Sequence, residues 1–338
     1  MASRHPTSYH PWVQRRIVTN AAIAPHPVAG PDTDTTRFRG IIPPVITPRT
    51  ENGLIDRESL QRVTSHLLDG GVDGLFILGS SGEVPYLTNE ERDLVATTVI
   101  EASDGRVPVL AGANEQTTAR VVAEAQRLSD LGVDALVVTA PFYALSNQSE
   151  VGQHFRTVRE RVDLPLFAYD VPVRTHAKLG LDVLRELAED GVLAGVKDSS
   201  GDDVSFRLLA LATEHLPAFR MFTGHEVVVD GALLGGAHGA VPGLANVDPA
   251  GYSRLYAAAA DGDWAAARRE QDRLARLFGI VEVTEAGISA GAAGLGAFKT
   301  ALQLLGVIAS NRMSEPMRSL GAAETSRIRG LLEASGLL

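Results

Sequence analysis

Cysteine is absent from all 338 residues, which excludes a disulfide framework, a thiolate metal site and a cysteine nucleophile at once. Positive charge is scarce: 31 Lys and Arg stand against 41 Asp and Glu, a formal charge of -10. That balance argues against a nucleic-acid footprint and against binding to an anionic membrane surface. A small anionic substrate is still compatible with it where cations are placed locally. Long apolar runs are missing too, since Gly, Asp or Pro breaks each one well short of the roughly 18 residues of a membrane span. A cytoplasmic protein with no membrane or nucleic-acid partner is expected. Acidic residues are missing from the start of the chain, where the first is Asp32 and Arg4, Arg15 and Arg16 stand among scattered prolines and histidines. Residues 1 to 36 therefore read as a disordered tail. A transit peptide fits less well, because the Ser-rich amphipathic pattern is lacking.

With 45% hydrophobic and 21% charged residues, the chain can fill one large core. A junction recurs along it, in which an apolar-periodic segment ends at Gly and a short β-rich run follows. It is found in Leu67 to Gly79, Arg127 to Thr139, Leu187 to Asp198 and Leu233 to Gly243. Each reads as a glycine-capped helix end followed by a buried strand. Runs introduced near a Pro lie between them, at Val107 to Ala113, Leu164 to Asp170 and Leu216 to Gly224, and Gly40 to Pro48 precedes them all. Eight short strands, apolar on both faces, are thus predicted to alternate with helices such as Glu90 to Glu101, Thr117 to Leu131 and Leu181 to Glu189. This favours an α/β fold, a closed (β/α)8 TIM barrel over residues 37–260, with residues 261–338 as a C-terminal helical extension. An open doubly wound sheet is the alternative.

In such a barrel, chemistry belongs to the strand C-terminal ends. Lys197 follows Leu193-Ala194-Gly195-Val196 directly, which places its amine at the rim of an apolar interior. Lysine is seldom buried without a partner, and burial disfavours the charged form, as a nucleophilic amine attacking a ketone requires. A salt bridge to Asp198, Asp170 or Glu83 is the competing structural role. Tyr169 and Tyr143 each offer a phenol for proton transfer, although a tyrosine at a strand end commonly just packs. Ser80 and Ser81, between Gly79 and Gly82, supply hydroxyls and backbone N–H groups suited to a carboxylate. Arg174 has the geometry to clamp a second carboxylate, or is merely solvated. No zinc-type pair is found at helical spacing among the nine histidines, and no nucleotide-binding glycine pattern is present, so neither metal nor cofactor is expected. Gly287 to Gly291 matches a hydrolase elbow superficially but follows no apolar strand.

These residues resemble the dihydrodipicolinate synthase and N-acetylneuraminate lyase group of class I aldolases, from about Gly40 to Val307. Gly79-Ser80-Ser81-Gly82-Glu83 is similar to that family's carboxylate-binding turn, Tyr169-Asp170-Val171-Pro172 to its Tyr-Asn-Val-Pro segment, and Val196-Lys197-Asp198-Ser199-Ser200-Gly201-Asp202 to its Schiff-base motif. The resemblance implies that Lys197 is the nucleophile and that Tyr169, Tyr143 and Ser80 relay protons. It also implies that Ser81 holds the substrate carboxylate and that Gly224 and Val241 contact substrate through backbone. Tyr143 matches a tyrosine that the family inserts into a neighbour's site, which implies a homodimer or a homotetramer built as a dimer of dimers. Serine replaces both family threonines, and Asp170 replaces the asparagine. The implied substrate is pyruvate or a 2-oxo acid that yields it. Reversible aldol cleavage of a short 4-hydroxy-2-oxo or 2-oxo-3-deoxy acid is the leading expectation. Synthesis of 4-hydroxy-tetrahydrodipicolinate from pyruvate and aspartate semialdehyde, favoured by Arg174, and sugar-acid dehydration are the alternatives. A 2-oxo acid sensor without catalysis, or a metal-dependent aldolase, are the readings from other classes.

Overall fold

The structure is a computed structural model that describes residues 34–284 and 287–338. The tail expected over residues 1–36 lies, up to residue 33, outside the described residues. Residues 34–36, assigned to that tail by composition, belong to a turn in which Thr35 is buried and Asp34 and Thr36 are exposed. Asp34 accepts the Thr36 N–H at 2.9 Å to start a single turn, and the Thr35 hydroxyl donates to Ala218 O at 2.7 Å.

Eight parallel strands form one curled sheet: β1 (Gly40–Ile41), β2 (Leu75–Ile77), β3 (Val109–Gly112), β4 (Ala135–Thr139), β5 (Leu166–Asp170), β6 (Gly195–Asp198), β7 (Arg220–Thr223) and β8 (Gly239–Ala240). Each pairs with its sequence neighbour from β2 to β8, and β8 pairs with β1. Just past β1, Pro44 bridges Phe76 and the Val45 N–H donates to Phe76 O at 2.8 Å, so one segment touches both ends of the sheet. Asn246, fully buried, ties that segment down by donating to Pro44 O and accepting from the Ile46 N–H.

Helices α1 (Arg57–Asp69), α2 (Asn89–Ser103), α3 (Thr118–Asp130) and α4 (Gln148–Arg161) follow the first four strands. The short α5 (Pro172–Thr175) and then α6 (Leu181–Glu189) follow β5, and α7 (Asp203–Ala212), α8 (Val229–Leu234) and α9 (Pro249–Ala260) follow the last three. The glycine junctions explain the sharp returns. After α1 and α3 the chain passes through Gly71 (φ 79) and Gly132 (φ 89), left-handed positions that cost a residue with Cβ. Two residues later, Asp73 and Asp134 accept the N–H groups of Ile41 and Val109 at 2.9 and 2.8 Å, which stitches each returning strand to its neighbour.

Both sheet faces are covered, as parallel strands require. Along β4, Leu136 and Val138 pack toward the helices while Ala135 and Val137 join Phe76, Phe167, Tyr169 and Phe222 in the interior. After α9 come α10 (Trp264–Phe278), α11 (Ala290–Leu304) and α12 (Ala322–Ala334), with α10 packed on α9 and α12 on α11. Among the described residues no helix is long and apolar enough to cross a membrane.

Candidate active site

Parallel pairing sets Tyr169 of β5 opposite Lys197 of β6, and Asp170 opposite Asp198. Alternation along a strand then sends Tyr169 and Lys197 into the interior and the two carboxylates outward. Lys197 is 5% exposed, and its Nζ stands 3.9 Å from the Tyr169 ring centroid and 4.6 Å from that of Phe76. The carboxylates that the sequence offers it as salt-bridge partners are held by other lysines. Asp170 meets Lys178, Glu83 meets Lys299, and Asp198 has Lys178 at 4.0 Å and the Ser200 N–H at 2.7 Å. Lys197 itself forms no ion pair with any of the three.

Burial pushes the Tyr169 phenol up. The charge of Lys197, with hydrogen bonds from Ser80, Lys197 and Ser199, outweighs burial and leaves it below its ordinary value. A phenol so placed gives up its proton more readily than one in water. A cavity of about 530 Å³ opens there, lined among others by Ser80, Asn114, Thr139, Tyr169, Arg174 and Ser289. Pro172 starts the short α5, which carries Arg174 to the cavity rim.

The serine turn is held under strain. Leu78 (φ 54) and Glu83 (φ 58) both adopt left-handed backbone, at a cost of roughly 1 to 3 kcal/mol each, and the surroundings fix them. The Gly82 N–H donates to Gly79 O at 3.1 Å and the Thr47 hydroxyl to Gly82 O at 2.8 Å. Glu83 Oε2 accepts the Ser314 N–H at 2.9 Å.

Not every expected residue reaches the cavity. Ser80, Tyr169 and Arg174 line it, whereas Lys197, Ser81, Gly224, Val241 and Tyr143 are not part of its wall; Lys197 lies behind it against the Tyr169 ring. Tyr143 is 92% exposed at φ 74. Gly224 admits no side chain, because a Cβ there would collide with Ser199 Oγ, and its N–H donates to Asp198 O at 2.6 Å. Val241 is buried beside Tyr169 and Phe222 in the interior.

Several residues escaped sequence reasoning. Thr139 lies opposite Tyr169 in register, with its N–H donating to Asn114 Oδ1 at 3.0 Å, and nothing in the periodicity distinguishes either residue. Ser289, set aside with the hydrolase-like match, caps α11 and lines the cavity. Glu226, after β7, accepts the N–H groups of Gly243 and Leu244 at 2.8 and 3.0 Å, and burial raises its carboxyl to about 7. An acidic residue in a loop carries no signal of that kind.

Known proteins place this architecture. The model of the dihydrodipicolinate synthetase family matches residues 37–335. The chain is 36% identical over 242 residues to a 4-hydroxy-tetrahydrodipicolinate synthase of Phenylobacterium zucineum, covering 71% of this chain and 81% of that one. It is 35% identical over 315 residues to a DapA-like lyase of Halobacterium salinarum, covering 93% and 99%. The crystal structure of YagE, a prophage protein of Escherichia coli K12 solved in complex with pyruvate, superimposes with a TM-score of 0.83 at 28% identity, covering 89% of this chain and 99% of that one. The eight-stranded curled sheet and the matched motifs thus have one source: the chain belongs to the dihydrodipicolinate synthetase family, an enzyme of its lyase and synthase class.

Proposed function

We propose that this enzyme is a class I aldolase in which Lys197 forms a Schiff base with the C2 carbonyl of pyruvate or of a 2-oxo acid that releases pyruvate. The observation that carries the reading is a buried lysine stacked on Tyr169 while Asp170 and Glu83 are taken by other lysines. The sheet is read as a closed (β/α)8 barrel, supported by the Pro44 to Phe76 bridge between its two ends, with residues 261–338 as its helical extension.

The Lys197 amine adds to C2 and water leaves, giving an iminium that withdraws electrons. With a 4-hydroxy-2-oxo acid, Tyr169 takes the C4 hydroxyl proton, the C3–C4 bond breaks, and the aldehyde departs. The bond's electron pair enters the iminium to give an enamine. Protonation at C3 and hydrolysis then release pyruvate and the free amine. Ser80 passes protons to and from Tyr169. Ser81 with the turn's N–H groups holds the 2-oxo acid carboxylate, and the backbones of Gly224 and Val241 close on the substrate. The fixed left-handed backbone at Leu78 and Glu83 supports a pre-organised turn. Arg174 on the cavity rim supports a substrate with a second, distal carboxylate.

A second reading, condensation of pyruvate with aspartate semialdehyde, is favoured by the Phenylobacterium relative's name and uses the same groups in reverse. Steady-state assays with 4-hydroxy-2-oxoglutarate, a 2-oxo-3-deoxy sugar acid, and pyruvate plus aspartate semialdehyde separate them. Turnover of the first at the highest kcat/KM supports the aldolase, and preference for the last pair replaces it with the synthase.

Tyr143 reaches a site only in an assembly. Its exposure, together with Leu145 at 64% and Val173 at 75%, supports a homodimer in which each Tyr143 enters the neighbour's cavity. Exposed Val204, Leu208 and Leu211 on one face of α7 support further pairing into a homotetramer.

A further inference from the structure

Two carboxylates stand at the ends of β5 and β6, one residue beyond the groups proposed to react. Asp170 is fully buried and Asp198 is 5% exposed, and their register places them side by side. Lys178, from the link between α5 and α6, contacts Asp170 Oδ2 and lies 4.0 Å from Asp198 Oδ2. The link is anchored from both sides. The Leu179 N–H donates to Asp170 Oδ1 at 3.2 Å, and Gln148 of α4 donates to Lys178 O at 2.9 Å. The charge of Lys178 also acts on Asp202, the cap of α7, and the charge of Lys197 acts on Glu226 after β7. Two buried like charges at adjacent strand ends repel unless a cation lies between them. The segment that Lys178 draws down also carries α5 and Arg174.

We propose that Lys178 is a positioning residue of this site: by bridging Asp170 and Asp198 it holds the ends of β5 and β6, and with them Tyr169 and Lys197, in register and at the right local charge. The asparagine-to-aspartate departure at position 170 is then one half of a charge pair whose other half is Lys178. This inference rests on Lys197 and Tyr169 being the reacting groups.

The test compares the unmutated chain with Lys178→Met and with the double variant Asp170→Asn/Lys178→Met, reading kcat/KM across pH and the borohydride-trapped pyruvate adduct. Lys178→Met leaves one surplus negative charge beside Tyr169, which favours the protonated form of its phenol. The pH at which kcat/KM rises should move upward by about one pH unit, and kcat/KM near neutral pH should fall about tenfold, with the adduct still forming at saturating pyruvate. The double variant removes the surplus charge, while the side-chain amide introduced by Asp170→Asn keeps the acceptor for the Leu179 N–H. Its profile should return to that of the unmutated chain, whether or not the single variant folds well. An unmoved profile in Lys178→Met overturns the proposal, as does a double variant that remains displaced or fails to fold. Absence of the adduct from the unmutated chain refutes the Schiff-base reading instead, so the two failures are distinguishable.

Discussion

Lys299 of α11 and Glu83 of the serine turn meet as an ion pair in which both side chains are fully buried. The pair ties the C-terminal helices to the mouth of the sheet. Lys299 Nζ also donates to Arg312 O at 2.8 Å, and Arg49 Nε donates to Ser314 Oγ at 2.7 Å beside the same carboxylate. Burial pushes the Lys299 ammonium below its usual value against the pull of Glu83. Removing one partner leaves the other charge buried and alone. Lys299→Met should therefore cost about 3 to 5 kcal/mol, seen as a lower urea midpoint, and should raise the KM for pyruvate because the turn loses its anchor. Unchanged stability would show that Glu83 finds another partner.

Arg174 tests the second carboxylate. Arg174→Met should reduce kcat/KM about hundredfold for a substrate with a distal carboxylate, equivalent to about 3 kcal/mol, while the pyruvate adduct forms as before. Equal loss with a substrate that lacks the distal group would show that Arg174 acts on the fold of α5 instead.

Tyr143 tests the assembly. If each Tyr143 serves the neighbouring site, Tyr143→Phe and Lys197→Ala are each nearly inactive, yet a heterodimer of the two holds one site with both residues. Mixing the variants after reversible dissociation should restore about a quarter of normal activity, because half the dimers are mixed and half their sites are complete. No recovery on mixing would place Tyr143 outside the chemistry.

His154 governs acid stability. It is 2% exposed on α4, with Nδ1 3.0 Å from Thr118 Oγ1, and burial lowers it from the ordinary 6.5 to about 4. Between those values the unfolded chain binds the proton and the folded chain does not, so stability rises with pH across the window. Its contribution, about 3 kcal/mol, is complete above 6.5 and lost as pH falls to about 4. Glu226, raised from 4.5 to about 7, acts with the opposite sign, its contribution being lost as pH rises through about 7. Urea midpoints across that range should show a shallower loss on acidification in His154→Gln than in the unmutated chain. Parallel curves would refute the assignment.

Strand positions were legible because buried parallel strands leave a simple record. The glycine that ends α3 and the run that becomes β4 fall where the junction in Arg127 to Thr139 predicts, and α6 runs from Leu181 to Glu189 as its periodicity does. The burial of Lys197 near the end of β6 was legible for a similar reason, since a lysine directly after an apolar run has few places to go. What the sequence hid depends on contacts across the chain. Nothing near Glu83 announces Lys299, more than two hundred residues away, and Lys178 matters only because β5 and β6 bring Asp170 and Asp198 together. Tyr143 is the reverse case. Its motif was visible, but its place in one copy of the chain is solvent.

The Schiff-base mechanism requires a covalent bond to Lys197. Intact-protein mass spectrometry after borohydride reduction with pyruvate should show one added three-carbon unit, with the modified peptide containing Lys197, and Lys197→Ala should fold normally yet take up nothing. An adduct on another lysine, or none in the active protein, would contradict the Schiff-base mechanism and return Lys197 to a structural role.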